Sequence, residues 1–566
     1  MYLRKFGNLL RRWQSGCVGI AGVVAAGLPA LALSTSVGPG GIDALRLHGD
    51  PYFLTGRKVA IGQVEIGRPS QFGLDKVASA TLPVTVNQVF WLDQQPNPNQ
   101  YVDGHAANVA SVMISQEKGL MGVAPNATLY SAAVGPIRER SGQPEECFAS
   151  QKVALSNGGD VRAINYSFGE SLRRDPRPDA MLDGNALLTQ CIDWSQRVHD
   201  VLYVIAGNQG GGGIPIPTDN FNGINVAYSR RVEGRFIKVD FANLSSEPRF
   251  RAQRSTVPET NVGARRSINL VAPGNRIEVI DPDGQTRVVS GTSFAAPHVA
   301  ATVALLQEWS DIQFREGVPG WTLGARDPMV MKAVLLNSAD KLEDTGDGLL
   351  LGMSRTLYDE SNQTWLGSDA YLDPKVPLHA ELGTGHLNAY RALLQLQGGQ
   401  WSMTELVPAI GWSYSDKDSP ITSDLPEAET SDAETSTSSR DYVFEDPLQA
   451  GSYLAATLTW ERLVSLNDDD NNQLYDLGET FEDKGLNNLD LYLMRAEDDD
   501  IADSVWSSVS DVDSVEHIFT QIPTTGRYKL RVVYREPMED SLAQDYALAW
   551  WAVPIPKESA SEIELN

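Results

Sequence analysis

At 566 residues the chain is longer than a single hydrophobic core organises, so two or more domains are expected. A hydrophobic fraction of 42% and an aromatic fraction of 8% exclude a disordered chain. The formal net charge of −27 argues against nucleic acid, whose phosphates require Lys and Arg, and fits an extracellular or saline setting.

The N-terminal stretch carries Arg4, Lys5, Arg11 and Arg12, then an apolar run from Val18 to Leu33 with an Ala30-Leu31-Ala32 cleavage pattern. This reads as a secretory signal peptide over 1–32, with an uncleaved anchor as the alternative. It predicts a secreted or periplasmic protein with no membrane contact after cleavage. Cys17 lacks a lipobox and leaves with the signal. Cys147 and Cys191 then form the one intrachain pair available; a disulfide and two buried thiols are both open readings.

From Val59 to about Leu396, apolar runs such as "KVAIGQVEI", "ATLYSAAV", "DVRAINYSFG" and "VLYVIAGN" alternate with helical stretches such as "AANVASVMISQ". That alternation predicts an α/β fold, a parallel sheet with helices on both faces, over 33–398. In such sheets ligands sit beyond the carboxyl ends of the strands. After Gln400 the chain turns to Trp-, Tyr- and Thr-rich strands such as "YLAATLTWERLV" and "GRYKLRVVY". An antiparallel β-sandwich domain is expected over 399–556. Within it, a Ser/Thr/acid-rich stretch near 415–440 cannot bury enough apolar surface to order, and 557–566 reads as a polar tail.

Four segments at strand ends or helix starts carry polar residues that could converge: Glu65, His105, Asn208 and Ser293. A serine hydroxyl is a weak nucleophile until a histidine takes its proton. An acid holds that imidazole in one tautomer and stabilises its cation. A side-chain amide can donate to a developing oxyanion. The chain order, acid then His then Ser, is one of three known orders for this chemistry, and no G-x-S-x-G elbow is present. A purely structural reading is open for the last segment, "VVSGTSFAAPHVAATVALL". There Thr292 or Ser293 would cap a helix, and Pro297 would fall in its first turn, where no intrahelical amide is missed.

Together these motifs resemble the subtilisin-like serine peptidase family. "GTSFAAPHVA" resembles the nucleophile motif with Ser293 in its place, "GHAANVASVM" the histidine motif with His105, and "IAGNQG" the oxyanion motif with Asn208. The resemblance spans roughly 42–396 and implies that Ser167, Phe168 and Gly169 line the substrate cleft. Three features depart from it. The acid motif, usually Asp-Thr/Ser-Gly, reads Glu65-Ile66-Gly67; Ala106 and Asn108 alter the histidine motif; and only about 25 residues separate Ala32 from the first strand at Val59, too few for an inhibitory pro-domain. Asp103 competes for the role of acid but should point away from His105, because neighbours two apart on a helix do not face each other. His298 is expected to pack or orient, and His48, His199, His379, His386 and His517 to be surface or satisfied core.

The acidic run "NDDDNNQLYDLGE" places Asp468, Asp470, Asn472, Asp476 and Glu479 at positions 1, 3, 5, 9 and 12 of a calcium loop. Position 6 is Gln473 rather than the usual glycine, and the flanks read as strands, so a solvated loop is the alternative. The expectation is a monomeric serine endopeptidase acting on protein or peptide substrates. No cofactor is required, and a structural Ca2+ is an option. A catalytically silent protein of the same fold is the competing reading.

Overall fold

The computed structural model describes residues 33–137, 140–178, 180–207, 215–239, 261–262, 264–415, 420–422, 438–536 and 543–556. The expected signal peptide, Asn208, most of the acidic Ser/Thr loop and the tail lie outside the described residues.

Period-two alternation builds the central sheet. In β1 (Ala60–Glu65), Ile61 faces one apolar layer while Ala60 and Val64 face the other. Gly62 admits close packing, since a Cβ there would lie 2.3 Å from Val153 Cγ1. β1 is flanked by β3 (Thr128–Ala133) and β4 (Val161–Tyr166), both parallel to it. β2 (Gln88–Trp91) closes one side beyond β3. On the other side come β5 (Leu202–Ala206), β6 (Ile224–Val232) and β7 (Arg235–Lys238), with only the β6–β7 pair antiparallel. The short strand β8 (Leu270–Pro273) also pairs with β6. The chain thus leaves β1 to one side first and later returns to its other side, which makes the carboxyl end of β1 a topological switch point.

Helices cover both faces, as the continuous apolar strands require. α1 (Gly104–Ile114) and α4 (Thr292–Glu316) bury Val109, Met113, Val299 and Val303 on one side. α2 (Gln143–Ala154) and α3 (Leu187–His199) bury Val153, Ile192 and Trp194 on the other, where a Cys147–Cys191 disulfide joins them.

The C-terminal region adds two four-stranded antiparallel sheets, and side chains from both meet in one apolar layer, including Leu458 and Trp550 from one and Leu491 and Leu530 from the other. The first sheet also packs its opposite face onto α5 (Pro328–Asn337). Small residues there, Ala547 and Ala549, join the apolar layer that includes Val334 and Leu335 of α5, while Thr457 Oγ1 donates to Asn337 Oδ1 at 3.0 Å and Thr459 Oγ1 to the Met329 carbonyl at 3.0 Å. Residues 32–566 accordingly form one compact unit. A hairpin of Leu463–Asn467 and Thr480–Gly485 reaches back onto α2 and α3, burying Val464, Tyr475 and Phe481 there.

Candidate active site

Glu65 ends β1 and is buried. Beyond it the chain zips onto the segment before α1. The Arg68 amide donates to the Tyr101 carbonyl at 2.8 Å, and the Asp103 amide to the Arg68 carbonyl at 2.9 Å. Gly67 is needed for this, because a Cβ there would lie 2.3 Å from Asp103 Cβ. The zipper brings His105, in the first turn of α1, against the strand end, and His105 Nδ1 lies 3.2 Å from Glu65 Oε2. Burial pushes the imidazole pKa down, but the Glu65 charge and hydrogen bond, with a smaller contribution from Asp103, outweigh it, so the pKa is raised. Asp103 caps α1, its Oδ1 accepting from the Ala106 amide at 3.1 Å.

Ser293 is the second residue of α4. The helix cap is Gly291, and no side chain caps it, so Ser293 is not the capping residue that the structural reading required. Its hydroxyl donates instead to the Ser167 carbonyl at 2.9 Å. Next to it, the Phe294 ring centroid is 5.5 Å from that of His105. Pro297 also differs from the first-turn expectation: it is the sixth helical residue, inside α4. There it lacks the amide that would have bonded the Ser293 carbonyl four residues back. Ser167 Oγ fills that role, donating to the Ser293 carbonyl at 2.9 Å, and Asn165 Nδ2 in turn donates to Ser167 Oγ at 2.8 Å. Ser167 and Ser293 are therefore joined by two reciprocal bonds. The signal for this clasp was present in the sequence as a proline four residues after the serine.

Phe168 stacks on Tyr166 with centroids 4.5 Å apart, and Gly169 is exposed. His298 is packed, bonded to the Phe294 carbonyl and to Ser36 Oγ at 2.7 and 2.9 Å, and burial holds its pKa down to about 4. Of the other histidines, His48, His386 and His517 are bonded to Val123, Ser229 and Thr457.

Of the five acidic-loop residues, Asp468, Asp470 and Glu479 present oxygens within 4.8 Å of one another. Asp476 lies outside this group and accepts from Asn472 Nδ2 at 2.7 Å. Gln473 takes φ +63 despite its side chain, and its amide donates to Asp468 Oδ2 at 2.7 Å. The turn at position 6 is thus made without glycine. Hard carboxylate oxygens converging in this way fit a calcium ion.

Fold and site together define an α/β protein with a carboxylate-bound histidine at the switch point of its sheet and a serine at the start of a nearby helix. The profile of the subtilase family matches residues 53–353, and the chain belongs to that family. An alkaline protease of Alkalihalobacillus alcalophilus is 28% identical over 220 residues, covering 38% of this chain and 48% of that protein. Subtilisin NAT of Bacillus subtilis subsp. natto is 28% identical over 291 residues, covering 50% of this chain and 65% of that protein. The chain thus spans about half to two thirds of the length of these relatives. Among solved structures, the prenylagaramide maturation protease PagA aligns with a TM-score of 0.40 at 21% identity, over 63% of this chain and 99% of that one. A cold adapted subtilisin-like serine proteinase aligns with a TM-score of 0.34 at 18% identity, over 54% and 89%.

Proposed function

We propose that the protein is a serine endopeptidase that hydrolyses peptide bonds through an acyl-enzyme on Ser293. The observation that carries this reading is the His105–Glu65 contact beside the start of α4. With Nδ1 donating to Glu65, Nε2 is left as the basic nitrogen. In this mechanism the serine hydroxyl must first exchange its bond to the Ser167 carbonyl for one to the imidazole. His105 then takes the proton as Oγ attacks the scissile carbonyl and later returns it to the leaving amine. The Ser293 amide lies in the first turn of a 25-residue helix and has no intrahelical acceptor, so it can donate to the oxyanion. Asn208 is assigned the second donor by resemblance alone. Ser167, Phe168 and Gly169 are read as the cleft strand, the Asp468–Glu479 loop as a structural Ca2+ site, and 1–32 as an export signal. Among the described residues no helix is long and apolar enough to cross a membrane.

The test is labelling of the folded protein with a fluorophosphonate, with peptide turnover measured alongside. Labelling at Ser293, and loss of both label and turnover in Ser293→Ala, is expected. Folded wild-type protein that takes no label and cleaves nothing would favour the silent-scaffold reading, which the Glu-for-Asp change motivates.

A further inference from the structure

Just beyond the Glu65 carboxylate stands an ion pair that the proposed chemistry does not use. The side chains of Arg68 and Asp75 are fully buried and meet as a fork, with Nη1 2.6 Å from Oδ2 and Nη2 2.8 Å from Oδ1. Both carboxylate oxygens also accept from the backbone, Oδ2 from the Gln71 amide at 2.8 Å and Oδ1 from the Asn99 amide at 2.7 Å. Burial would raise the Asp75 pKa, but the Arg68 guanidinium and these two amides outweigh it, so the carboxyl is held below its ordinary value. Two charges taken out of water are costly, and a bidentate pair whose oxygens are each bonded twice is the arrangement that offsets the cost.

The pair fastens the path between the two members of the proposed acid–base couple. Arg68 supplies both rungs of the zipper that closes the end of β1 on the segment before α1, its amide donating to the Tyr101 carbonyl and its carbonyl accepting from the Asp103 amide. Asp75 holds Asn99 in the same segment, upstream of His105. Residues 99–103 are thus clamped to residues 65–68 by a side-chain pair and a backbone pair together. The clamped loop is not relaxed: Asn99 takes φ +62 and Tyr101 φ +55. A tyrosine in the left-handed region is costly and persists only where its surroundings over-determine it.

Arg68 and Asp75 do not act on the imidazole by charge. The charges that raise the His105 pKa are those of Glu65 and, more weakly, Asp103. The reach of the pair is geometric. If the loop relaxes, the Asp103 cap and the first turn of α1 move with it, and the 3.2 Å contact between His105 and Glu65 opens. We propose that Arg68 and Asp75 are positioning residues, whose ion pair sets the separation of Glu65 and His105 by holding residues 99–103 against the end of β1. The kinetic consequence rests on the peptidase reading.

The test compares Arg68→Lys, which keeps both charges but loses the fork, with Asp75→Asn and with the double variant Arg68→Gln/Asp75→Asn, which leaves no buried charge unpaired. Each is checked for folding by circular dichroism, and Arg68→Lys decides if the neutral variants do not fold. In the folded variants kcat should fall roughly ten- to a hundredfold, the scale of a misplacement of about 1 Å, with KM changed less than about twofold. The His105 ring, followed by proton NMR and assigned with His105→Gln, should titrate at lower pH than in the wild type. In a Glu65→Gln background the double variant should cost less than about twofold further in kcat, because the contact it would open is already lost. Unchanged kcat and an unchanged His105 midpoint would make the pair purely structural and overturn the proposal. Equal losses of kcat in both backgrounds would overturn it too, since the pair would then act elsewhere than on Glu65. A wild-type chain with neither Ser293 labelling nor cleavage removes the peptidase reading, and the His105 midpoint then decides the proposal alone.

Discussion

Glu65 carries one more methylene than the aspartate usual in this family, and the strand end accommodates it. Gly67 lets the backbone close on Asp103, and the carboxylate still meets His105 Nδ1 at 3.2 Å. Glu65→Gln keeps the shape and removes the charge. It should lower kcat by roughly 10⁴-fold, the scale of an acid-to-amide change in a triad. Asp103 is a cap whose oxygen is committed to the Ala106 amide, and asparagine caps as well as aspartate, so Asp103→Asn should cost less than about tenfold. The two variants also separate by pH. Because the His105 pKa is raised, the base form appears only at higher pH, and the acidic limb of kcat/KM should lie above the ordinary 6.5. Glu65→Gln should move that limb downward. Near-normal turnover in Glu65→Gln beside a dead Asp103→Asn would reassign the acid.

At the level of elements, the start of α4 is held by a clasp rather than by a cap. Pro297 frees the Ser293 carbonyl, and Ser167 Oγ takes it at 2.9 Å. The proline thus ties α4 to the segment that follows β4, so an interior helix break becomes a positional constraint. Ser167→Ala should cost about 1 kcal/mol, because it leaves a part-buried carbonyl without this partner. In a Pro297→Ala background the helix can satisfy that carbonyl itself, so the same change should cost clearly less. Denaturant unfolding of the four proteins in a double-mutant cycle measures the difference. Equal costs in both backgrounds would mean that the Ser167 bond contributes nothing to holding the helix.

Across the whole molecule, the C-terminal sheets are packed into the body of the protein through α5 and the returning hairpin, so their stability is shared with it. Two carboxyls at this joint are held up by burial: Asp327, which caps α5 and accepts from the Tyr414 hydroxyl at 2.6 Å, at about 7, and Glu461, which accepts from Gln196 at 2.9 Å, at about 8. A raised carboxyl favours the native state fully below its unfolded value near 4, and that contribution is lost as pH rises through the folded value. Buried histidines such as His298 act in the opposite sense but finish near 6.5, and the buried lysines gain stability only above their folded values, Lys341 above about 7 and Lys332 above about 8. Melting temperature should therefore fall between about pH 6.5 and 7, before Lys341 begins to offset it, and Glu461→Gln should flatten the fall. A slope unchanged by Glu461→Gln would exclude this joint as its source. The acidic loop is tied to the same body: Gln151 Nε2 donates to the Tyr475 carbonyl at 3.0 Å, and the Tyr475 amide donates back to Gln151 Oε1 at 2.6 Å. Calcium binding should raise the melting temperature of the whole chain by mass action, not that of a detached C-terminal piece. Scans in millimolar calcium and in chelator should differ for the wild type and coincide for a chain carrying Asp468→Asn and Asp470→Asn. Coincident wild-type scans would leave the loop solvated.

The sequence by itself determined the class of sheet, because strands buried on both faces must be continuously apolar and must alternate with helices. It also singled out Glu65, His105 and Ser293, because polar residues at strand ends and helix starts have few structural reasons to recur in that order. Only the tertiary structure decided how they are held. Which oxygen Ser293 touches, and that Pro297 frees a carbonyl for Ser167, depend on the meeting of segments more than 120 residues apart in the chain. The burial of the C-terminal sheet on a second face was likewise invisible locally. Ala547, Ala549 and Thr457 read as the outward side of a half-exposed strand until α5 is packed against them. Local periodicity records which side chains are apolar or small, whereas close approach between distant elements is a property of the assembled fold.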